Sequence, residues 1–462
     1  MPLRDFQAYD PGRYYWSALG ARLFGRGLVA LRFSETLFQI LGLWVGLLIA
    51  SRIMQDGWFL AAVGVLLVLW MFPSFKLFDH TFLLWGIWVA VRLLEEPSPS
   101  RLFIAGAFVG ISLFFGRNHT LYNLLAQAVL LMFLHAKSSP LSFQQVEMWV
   151  TGIAIGLIPT MGMLLCVTGF SSSYIKSVQA IFRHGTNLSI PVAWPWRISP
   201  FASSIAATRF LVGVLFVALP LGYLAGVMAS ISMDAAAIRN HAVFIGCAFV
   251  GLFYLHHAFS RPDLSHLAQS IHPFSFLVLA LAGALDESAL CRWGALAALL
   301  VLAVFTIGRQ SPRYQRCVSA KRWVPFDAGN RIFLSPSVSR LLTSLRDFAR
   351  ENIPARDGVL IAPFTPALYS ILGHESPLWD IAFYTPAPAA RQVEMIRRLS
   401  ERGVNWAIIS EAVPDQREDL RFSATHALVW RDLIEEFEPV ECASLPKSVK
   451  ILRRKRAALL PK

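Results

Sequence analysis

Charged residues are scarce in this sequence. Only 15% of its 462 residues are Asp, Glu, Lys or Arg, whereas 55% are hydrophobic; an average soluble domain has about 25% charged residues. This composition excludes a disordered protein and a collagen, and it is poorly suited to an ordinary cytosolic enzyme. A protein embedded in a membrane is the class that it favours.

Paired cysteines and nucleotide-binding motifs are absent. The five cysteines are an odd number without any C-x-x-C spacing, so the sequence indicates neither a disulfide-stapled miniprotein nor a zinc or redox site. The C-terminal region has no G-x-G-x-x-G and no P-loop, so no nucleotide site is indicated. No cofactor is certain. A divalent metal stays open, but the carboxylates lack metal-ligand spacing, and we name no metal residues.

Positive charge is in excess. The formal net charge is +13, with 42 Lys and Arg, and the mean hydropathy is +0.52. In a soluble protein this charge would indicate nucleic acid. With so high an apolar content it predicts a membrane surface as the partner, and no nucleic acid.

The acidic residues divide the chain into two parts. Glu35–Gly308 has ten Asp and Glu in 274 residues, and Ala320–Lys462 has seventeen in 143. Because acidic groups are costly in lipid, we expect a first loop and juxtamembrane helix at 1–34, a transmembrane helical domain at 35–310 and an α/β domain at 320–462. The predicted fold class is mostly α: a polytopic transmembrane bundle followed by a small soluble α/β domain.

About ten apolar runs predict the spans. Several are shorter than the roughly 20 residues that a span needs, which a bundle that thins the bilayer tolerates. An even number of spans places both termini on one side of the membrane. The loops on that side have seven Lys and Arg and the loops on the other side have six, so the positive-inside rule does not orient the chain. The runs lie near Leu37–Ile53, Trp58–Phe72, Leu77–Leu94, Leu102–Phe115, Leu121–His135, Met148–Phe170, Phe210–Met228, Ala242–Leu255, Phe274–Leu285 and Trp293–Ile307.

The two ends of the chain have their own patterns. Asp10–Ser34 mixes aromatic and leucine side chains with arginines, as is typical of an amphipathic helix in the headgroup plane. The C-terminal region alternates helices with strands, which predicts a small sheet domain. The predicted helices are Ser337–Asn352, Ala389–Arg402 and Thr425–Phe437, and the predicted strands are Gly358–Ala362, Val404–Ser410, Pro439–Ala443 and Ser448–Leu452.

Polar clusters mark where chemistry could occur, because ionisable groups near lipid are costly. By the parity of the spans, four clusters fall on one face, where together they predict a polar cavity at the membrane surface. The clusters are Asp5, Asp10 and Arg13; Lys76, Asp79 and His80; Arg117, Asn118 and His119; and Arg261, Asp263, His266 and His272.

Each cluster also has a purely structural interpretation. Asp79 and His80 fit a helix cap equally well, and His256-His257 is better explained by interfacial packing than by ligand binding. Arg117–His119 is compatible with a polar turn, and Arg261–Asp263 with a salt bridge within a loop. Their shared face is the stronger signal.

The stretch Asp10–Trp16 combines a carboxylate, a guanidinium and several aromatic rings. A guanidinium binds phosphate, a carboxylate takes a proton from an attacking hydroxyl, and aromatic faces stack on a sugar or a prenyl chain. These groups suit a substrate with an anionic head and an apolar tail.

The sequence resembles the GT-C superfamily of polytopic glycosyltransferases, the relatives of protein O-mannosyltransferases and of aminoarabinose transferases. The resemblance is carried by the acidic first loop Asp5–Asp10 before a juxtamembrane helix, by many short spans with Lys76 and Asp79 in a second loop, and by the C-terminal α/β domain. The loop Ser260–Leu267 also looks like one in bacterial members. Members carry a transmembrane helix ahead of the acidic loop, so we expect that helix to be missing here or the start to be placed late.

The resemblance implies a polyprenyl-phosphate sugar as donor and a lipid, glycan or protein as acceptor. The reaction would take place at the extracytoplasmic face of a bacterial inner membrane, with the C-terminal domain on that side. Asp5, or as second choice Asp10, would be the general base of an inverting transfer, and Asp79 with His80 would orient the acceptor or the base. Candidates for the donor phosphate are Lys76, Arg117 and Arg261, and the other cluster members are candidates for substrate binding.

Two other classes stay open. A lipid-linked sugar flippase or transporter should have polar residues near the middle of its spans, and often internal repeats. Here the polar residues lie at the ends of the runs and no convincing repeat is found, which favours surface chemistry. The third class is a catalytically degenerate relative of the superfamily.

Overall fold

The computed structural model describes most of the chain in two compact units, one reaching to Val318 and one made mainly of Ser319–Lys462. The described residues are 10–25, 27–73, 76–137, 140–184, 190–308, 324–327, 332–378, 380, 383, 386–411, 413, 417–442, 445–446 and 448–455.

In its described part, the first unit consists of helices and the loops that connect them. Its helices are α1 (Pro11–Phe24), α2 (Leu28–Ala50), α3 (Gly57–Trp70), α4 (Leu77–Glu95), α5 (Pro99–Phe115), α6 (Arg117–Lys137), α7 (Phe143–Gly156), α8 (Ile158–Cys166), α9 (Phe170–His184), α10 (Ser204–Ile231), α11 (Ala235–Asn240), α12 (Ala242–Ser260), α13 (Leu264–Ala268), α14 (His272–Leu285) and α15 (Ala289–Ile307). A short 3-10 turn lies at Pro195–Arg197.

The predicted apolar runs correspond to these helices, and the mostly helical fold class is confirmed. In the described part, six helices are long and apolar enough to cross a membrane, namely α2, α4, α6, α10, α12 and α15; the α7–α8 pair, bent by 47°, would make seven. Helices α3, α5 and α14 are shorter, at 14, 17 and 14 residues. At about 1.5 Å per residue they fall short of the roughly 30 Å hydrocarbon core, so the predicted number of about ten spans requires that these three also cross. The chain is an integral membrane protein.

Helices α4 and α12 form the centre of the bundle. Their apolar segments are 83% and 72% buried, against 28–44% for the other long helices. A helix surrounded by other helices is apolar on all sides, which explains why Leu77–Glu95 and Ala242–Ser260 are nearly continuous apolar sequences. The two helices pack closely where Gly246 meets Val91, since a Cβ on Gly246 would lie 3.2 Å from Cγ2 of Val91.

The α5–α7 contact is made by backbone. Each helix carries a G-x-x-x-G pattern, Gly106 and Gly110 on α5 and Gly152 and Gly156 on α7. A Cβ added to Gly106 would lie 2.0 Å from the carbonyl oxygen of Trp149, and one on Gly152 would lie 2.1 Å from that of Phe103. Small residues with this spacing allow membrane helices to approach closely.

The C-terminal unit is the predicted α/β domain, and its main elements match the predicted ones. A four-stranded sheet has the order β3-β4-β6-β5, in which β3 and β4 are parallel and the other neighbours antiparallel. A separate hairpin, β1 with β2, was not predicted. The elements are β1 (Val324–Asp327), β2 (Ile332–Leu334), α16 (Pro336–Asn352), β3 (Gly358–Ala362), α17 (Ala367–Leu372), α18 (Ala389–Glu401), β4 (Val404–Ser410), α19 (Phe422–Thr425), α20 (Ala427–Glu436), β5 (Phe437–Val440) and β6 (Val449–Arg454).

Both faces of this sheet are covered, so the domain has three layers. Side chains alternate across a strand, and along β3 Val359 and Ile361 join the core under α16 and α17. Leu360 and Ala362 join the opposite core, under α18 and α20.

The backbone contact between α5 and α7 gives a stability prediction. Gly152→Ala should separate the helices and lower the stability by about 1–3 kcal/mol, as overpacking does. Gly162→Ala, on α8, is the matched control, because a Cβ there meets nothing within 4 Å. The measurement is thermal unfolding of both variants in detergent micelles. Equal melting temperatures would contradict the prediction.

Candidate functional site

The site begins at the start of α1, with Asp10. This residue is the N-cap of α1, but its side chain makes no capping hydrogen bond. Its Oδ2 instead accepts the backbone N–H of Arg117 at 2.9 Å, and Nε of Arg117 lies 2.9 Å from Oδ1. The first turns of α1 and α6, distant in sequence, are therefore held together by an ion pair.

Asp10 has one carboxylate oxygen that is not hydrogen-bonded. Only 6% of the residue is exposed, and among the described residues Oδ1 accepts no hydrogen bond, because Nε of Arg117 is close enough for an ion pair but not well directed. Burial raises the pKa of Asp10 above its ordinary value, and the nearby charge of Arg117 only partly offsets this. The carboxylate is thus more basic than an exposed one.

The second ion pair joins Arg13 to Asp79. Arg13 donates from Nη2 to Oδ1 at 2.8 Å and from Nη1 to Oδ2 at 3.2 Å. Its Nε donates to the carbonyl of Phe115 at 2.7 Å. Asp79 is only 3% exposed and lies in the first turn of α4, whose N-cap is Lys76. Interpreting Asp79 as a helix cap is therefore wrong, since its carboxylate binds Arg13.

A third contact to Asp79 comes from His119, in the first turn of α6. The distance from Nε2 to Oδ1 of Asp79 is 2.7 Å, and Nδ1 lies 3.0 Å from the hydroxyl of Tyr254. Asn123 donates to that hydroxyl at 3.3 Å and to the carbonyl of His119 at 2.8 Å. Both oxygens of Asp79 are thus occupied by donors.

A buried histidine pair lies next to this group. Nδ1 of His80 and Nε2 of His272 are 3.1 Å apart, and both residues are 0% exposed. Their outer nitrogens have no partner in the described part of the chain. Lys76, half-buried, acts electrostatically on Asp79 and His80.

The fourth cluster forms its own group at the end of α12. Nε of Arg261 donates to Oδ2 of Asp263 at 2.9 Å, so the predicted salt bridge within this loop is present. Burial alone would raise the pKa of Asp263, but the hydrogen bond and charge of His266 outweigh it and lower the pKa. The His257 ring connects the group to the others, with centroids 5.6 Å from His266 and 6.2 Å from His119.

The structure brings five of the thirteen predicted site residues into two neighbouring groups. Asp10 pairs with Arg117, and Asp79 pairs with Arg13 and His119; the two groups are joined through the first turns of α1 and α6. Asn118 is exposed and takes no part in the contacts just described. Asp5 lies outside the described residues.

Several participating residues were missed by sequence reasoning. Tyr254 and Asn123 were not considered, although Asn123 lies four residues after His119 and therefore on the same helix face. Interfacial packing fits the exposed His256 but is wrong for His257, which is 7% exposed and lies 2.8 Å from Oε1 of Gln269.

No protein-family model and no curated protein matches the chain. Among solved structures, it is similar to ArnT from Cupriavidus metallidurans in the apo state, with 14% identity, coverage of 96% of this chain and 87% of that one, and a TM-score of 0.39. ArnT bound to undecaprenyl phosphate gives the same identity and coverage and a TM-score of 0.40.

A third match is the archaeal oligosaccharyltransferase AglB from Archaeoglobus fulgidus, in complex with an inhibitory peptide and a dolichol-phosphate. It has 12% identity and a TM-score of 0.42, over 87% of this chain and 61% of that chain. These are glycosyltransferases of the superfamily that the sequence resembles. At identities of 12–14% and TM-scores of 0.39–0.42, this likeness carries no conclusion about function.

The buried ion pair gives a second stability prediction. Arg13→Gln leaves the Asp79 charge buried without its guanidinium and should cost about 3–5 kcal/mol. Arg32→Gln is the control, because Arg32 is half-exposed and its ion pair with Glu35 is of a kind worth about 0–1 kcal/mol. Chemical unfolding in micelles compares the two variants. A loss no larger for Arg13→Gln than for Arg32→Gln would refute the prediction.

Proposed function

We propose that this protein is an integral-membrane glycosyltransferase that moves a sugar from a polyprenyl-phosphate donor to a lipid, glycan or protein acceptor. The observation that carries the proposal is the carboxylate of Asp10, which is buried at the end of a bundle of apolar helices, lies beside the guanidinium of Arg117 and has one oxygen that accepts no hydrogen bond among the described residues. A base and cations in one place at a helix end suit the transfer of a group from a lipid phosphate.

Asp10 is the better placed base of the two described carboxylates. A general base needs a free lone pair within reach of the proton that it takes. Oδ1 of Asp10 accepts no hydrogen bond among the described residues, whereas both oxygens of Asp79 accept hydrogen bonds, from two nitrogens of Arg13 and from His119. We therefore assign catalysis to Asp10 and a supporting role to Asp79, and Asp5 remains a candidate base.

The proposed reaction inverts the anomeric carbon. The acceptor hydroxyl attacks that carbon and gives its proton to Asp10, while the bond to the phosphate oxygen breaks and polyprenyl phosphate leaves with the electron pair. Lys76, Arg117 and Arg261 are the cations proposed to stabilise the negative charge on the leaving phosphate.

Five of the other cluster members are proposed to contact the substrates. Asn118, exposed beside Arg117, is placed for a sugar hydroxyl. Asp263 and His266, at the start of α13, would border the donor, and His80 with His272 would form the inner wall. We propose a bacterial inner membrane as the location, with the reaction and the C-terminal domain on the extracytoplasmic side.

A lipid-linked sugar flippase is the second candidate. The observation that favours it is the buried pair His80 and His272, because ionisable residues within membrane proteins often mark a transport path. The ion pairs Asp10–Arg117 and Asp79–Arg13 lie at helix starts and not near the middle of spans, which favours transfer at the surface.

The base is tested with Asp10→Asn. Transfer of radiolabelled sugar from a panel of polyprenyl-phosphate sugars, in membranes that contain the protein, should fall by about 10²–10⁴-fold, the usual contribution of a general base. Asp234→Asn is the matched control, since it removes a carboxylate from the exposed N-cap of α11, where Asn caps equally well.

Asp5→Asn is assayed alongside. Loss of transfer in Asp5→Asn only would reassign the base to Asp5. If the wild type moves lipid-linked sugar across vesicle membranes but transfers no sugar, the flippase function would be established.

The pH dependence follows from the Asp10–Arg117 pair. Asp10 must be ionised to take a proton, so activity should fall as the pH drops through its pKa, which burial raises and Arg117 lowers. Arg117→Gln should therefore move the acidic limb of the kcat/KM profile to higher pH. Arg22→Gln, at an exposed arginine of α1, should leave the limb in place. A limb that stays fixed in Arg117→Gln would show that Asp10 is not the titrating base.

A further inference from the structure

We propose that His119 and Tyr254 are positioning residues for the transfer reaction. They orient Asp79, which in turn holds Arg13 and the first turn of α1. That turn carries the Asp10 carboxylate, so the two residues act on the reaction without touching a substrate. The proposal rests on the glycosyltransferase function proposed above.

The hydrogen bonds between these residues have one consistent direction. Asp79, which accepts both outer nitrogens of Arg13, is an ionised carboxylate and can only accept. His119 must then carry its proton on Nε2, 2.7 Å from Oδ1 of Asp79. This leaves Nδ1 as an acceptor for the hydroxyl of Tyr254 at 3.0 Å.

The series of hydrogen bonds ends at the side-chain amide of Asn123, which donates two of them. Asn123 donates to the Tyr254 oxygen at 3.3 Å and to the carbonyl of His119, one helical turn earlier, at 2.8 Å. Tyr254 is 0% exposed, and His119 and Asn123 are 1% exposed. Because these side chains are shielded from bulk solvent, each hydrogen bond constrains the next one, and the imidazole is held in one tautomer.

The hydrogen-bond relay formed by Tyr254, His119 and Asp79 is connected to Asp10 through the first turns of α1 and α6. The first turn of α6 provides both Arg117, which pairs with Asp10, and His119, which orients Asp79. The first turn of α1 provides both Asp10 and Arg13. The two ion pairs, the hydrogen bond between His119 and Asp79 and the two helix turns therefore form a closed ring, and rotation of Asp79 would move the turn that bears the base.

The decisive variant is Tyr254→Phe, which removes one hydroxyl and keeps the ring between Tyr122 and His119. We expect kcat to fall by about tenfold, since a displaced catalytic group slows the chemical step, and KM for the donor to stay within about twofold. The matched control is Tyr223→Phe on α10, equally buried, whose hydroxyl bonds the Ser270 carbonyl at 3.4 Å outside the ring; it should leave kcat unchanged.

Two further comparisons separate positioning from general stability. His119→Gln keeps an N–H that can reach Asp79 and should retain more activity than His119→Leu. In an Asp79→Asn background, Tyr254→Phe should have no further effect on kcat, because both act through the same carboxylate. A loss in KM only, additive effects, or equal losses in Tyr254→Phe and Tyr223→Phe would overturn the proposal.

A stability measurement tests the ring without any activity. If Tyr254 acts through Asp79 on Arg13, the shifts in melting temperature of Tyr254→Phe and Arg13→Gln should not add in the double variant, whereas those of Tyr223→Phe and Arg13→Gln should add. Additive shifts for both pairs would refute the relay. Absence of transfer in the wild type with non-additive shifts would refute the glycosyltransferase function and leave the relay standing.

Discussion

The ion pair between Arg13 and Asp79 is the interaction on which the polar site depends. Moving a charge out of water costs several kcal/mol even after the protein relaxes, and only close pairing with further hydrogen bonds offsets that cost. Here the guanidinium occupies both carboxylate oxygens and one backbone carbonyl. This explains how a charged residue can sit in the first turn of α4, the most buried of the long helices.

That pair also explains why the carboxylates of Asp79 and Asp10 lie in different environments. Asp79 is surrounded by donors and is therefore a fixed anion that organises its neighbours. Asp10 faces one guanidinium and one backbone N–H and keeps an oxygen without a hydrogen bond. Two residues of the same type thus differ in what they can do because their partners differ.

Much of the fold could be predicted from the sequence because its signals are local. Apolar runs as long as a helix, and the short apolar run Gly358–Ala362 of β3, depend only on neighbouring residues. The number of spans was less certain, because α3 and α14 are apolar but only 14 residues long, and length alone does not decide whether such a helix crosses.

The site itself was only partly predictable. The clusters could be found because ionisable residues stand out in an apolar sequence, and span parity placed them on one face. Their partners could not be found: Arg13 and Asp79 are 66 residues apart and His119 and Tyr254 are 135 apart, so no periodicity relates them. Only packing of α1, α4, α6 and α12 determines that Asp79 binds Arg13.

The glycine contact between α5 and α7 has a mechanical consequence. Helices that touch through side chains can slide or tilt as rotamers change, but at Gly106 and Gly152 backbone meets backbone and no rotamer can yield. The two helices should therefore move as one rigid unit. At the end of α5, the carbonyl of Phe115 accepts a hydrogen bond from Arg13, so a main-chain atom of this rigid pair of helices helps to set the position of the site.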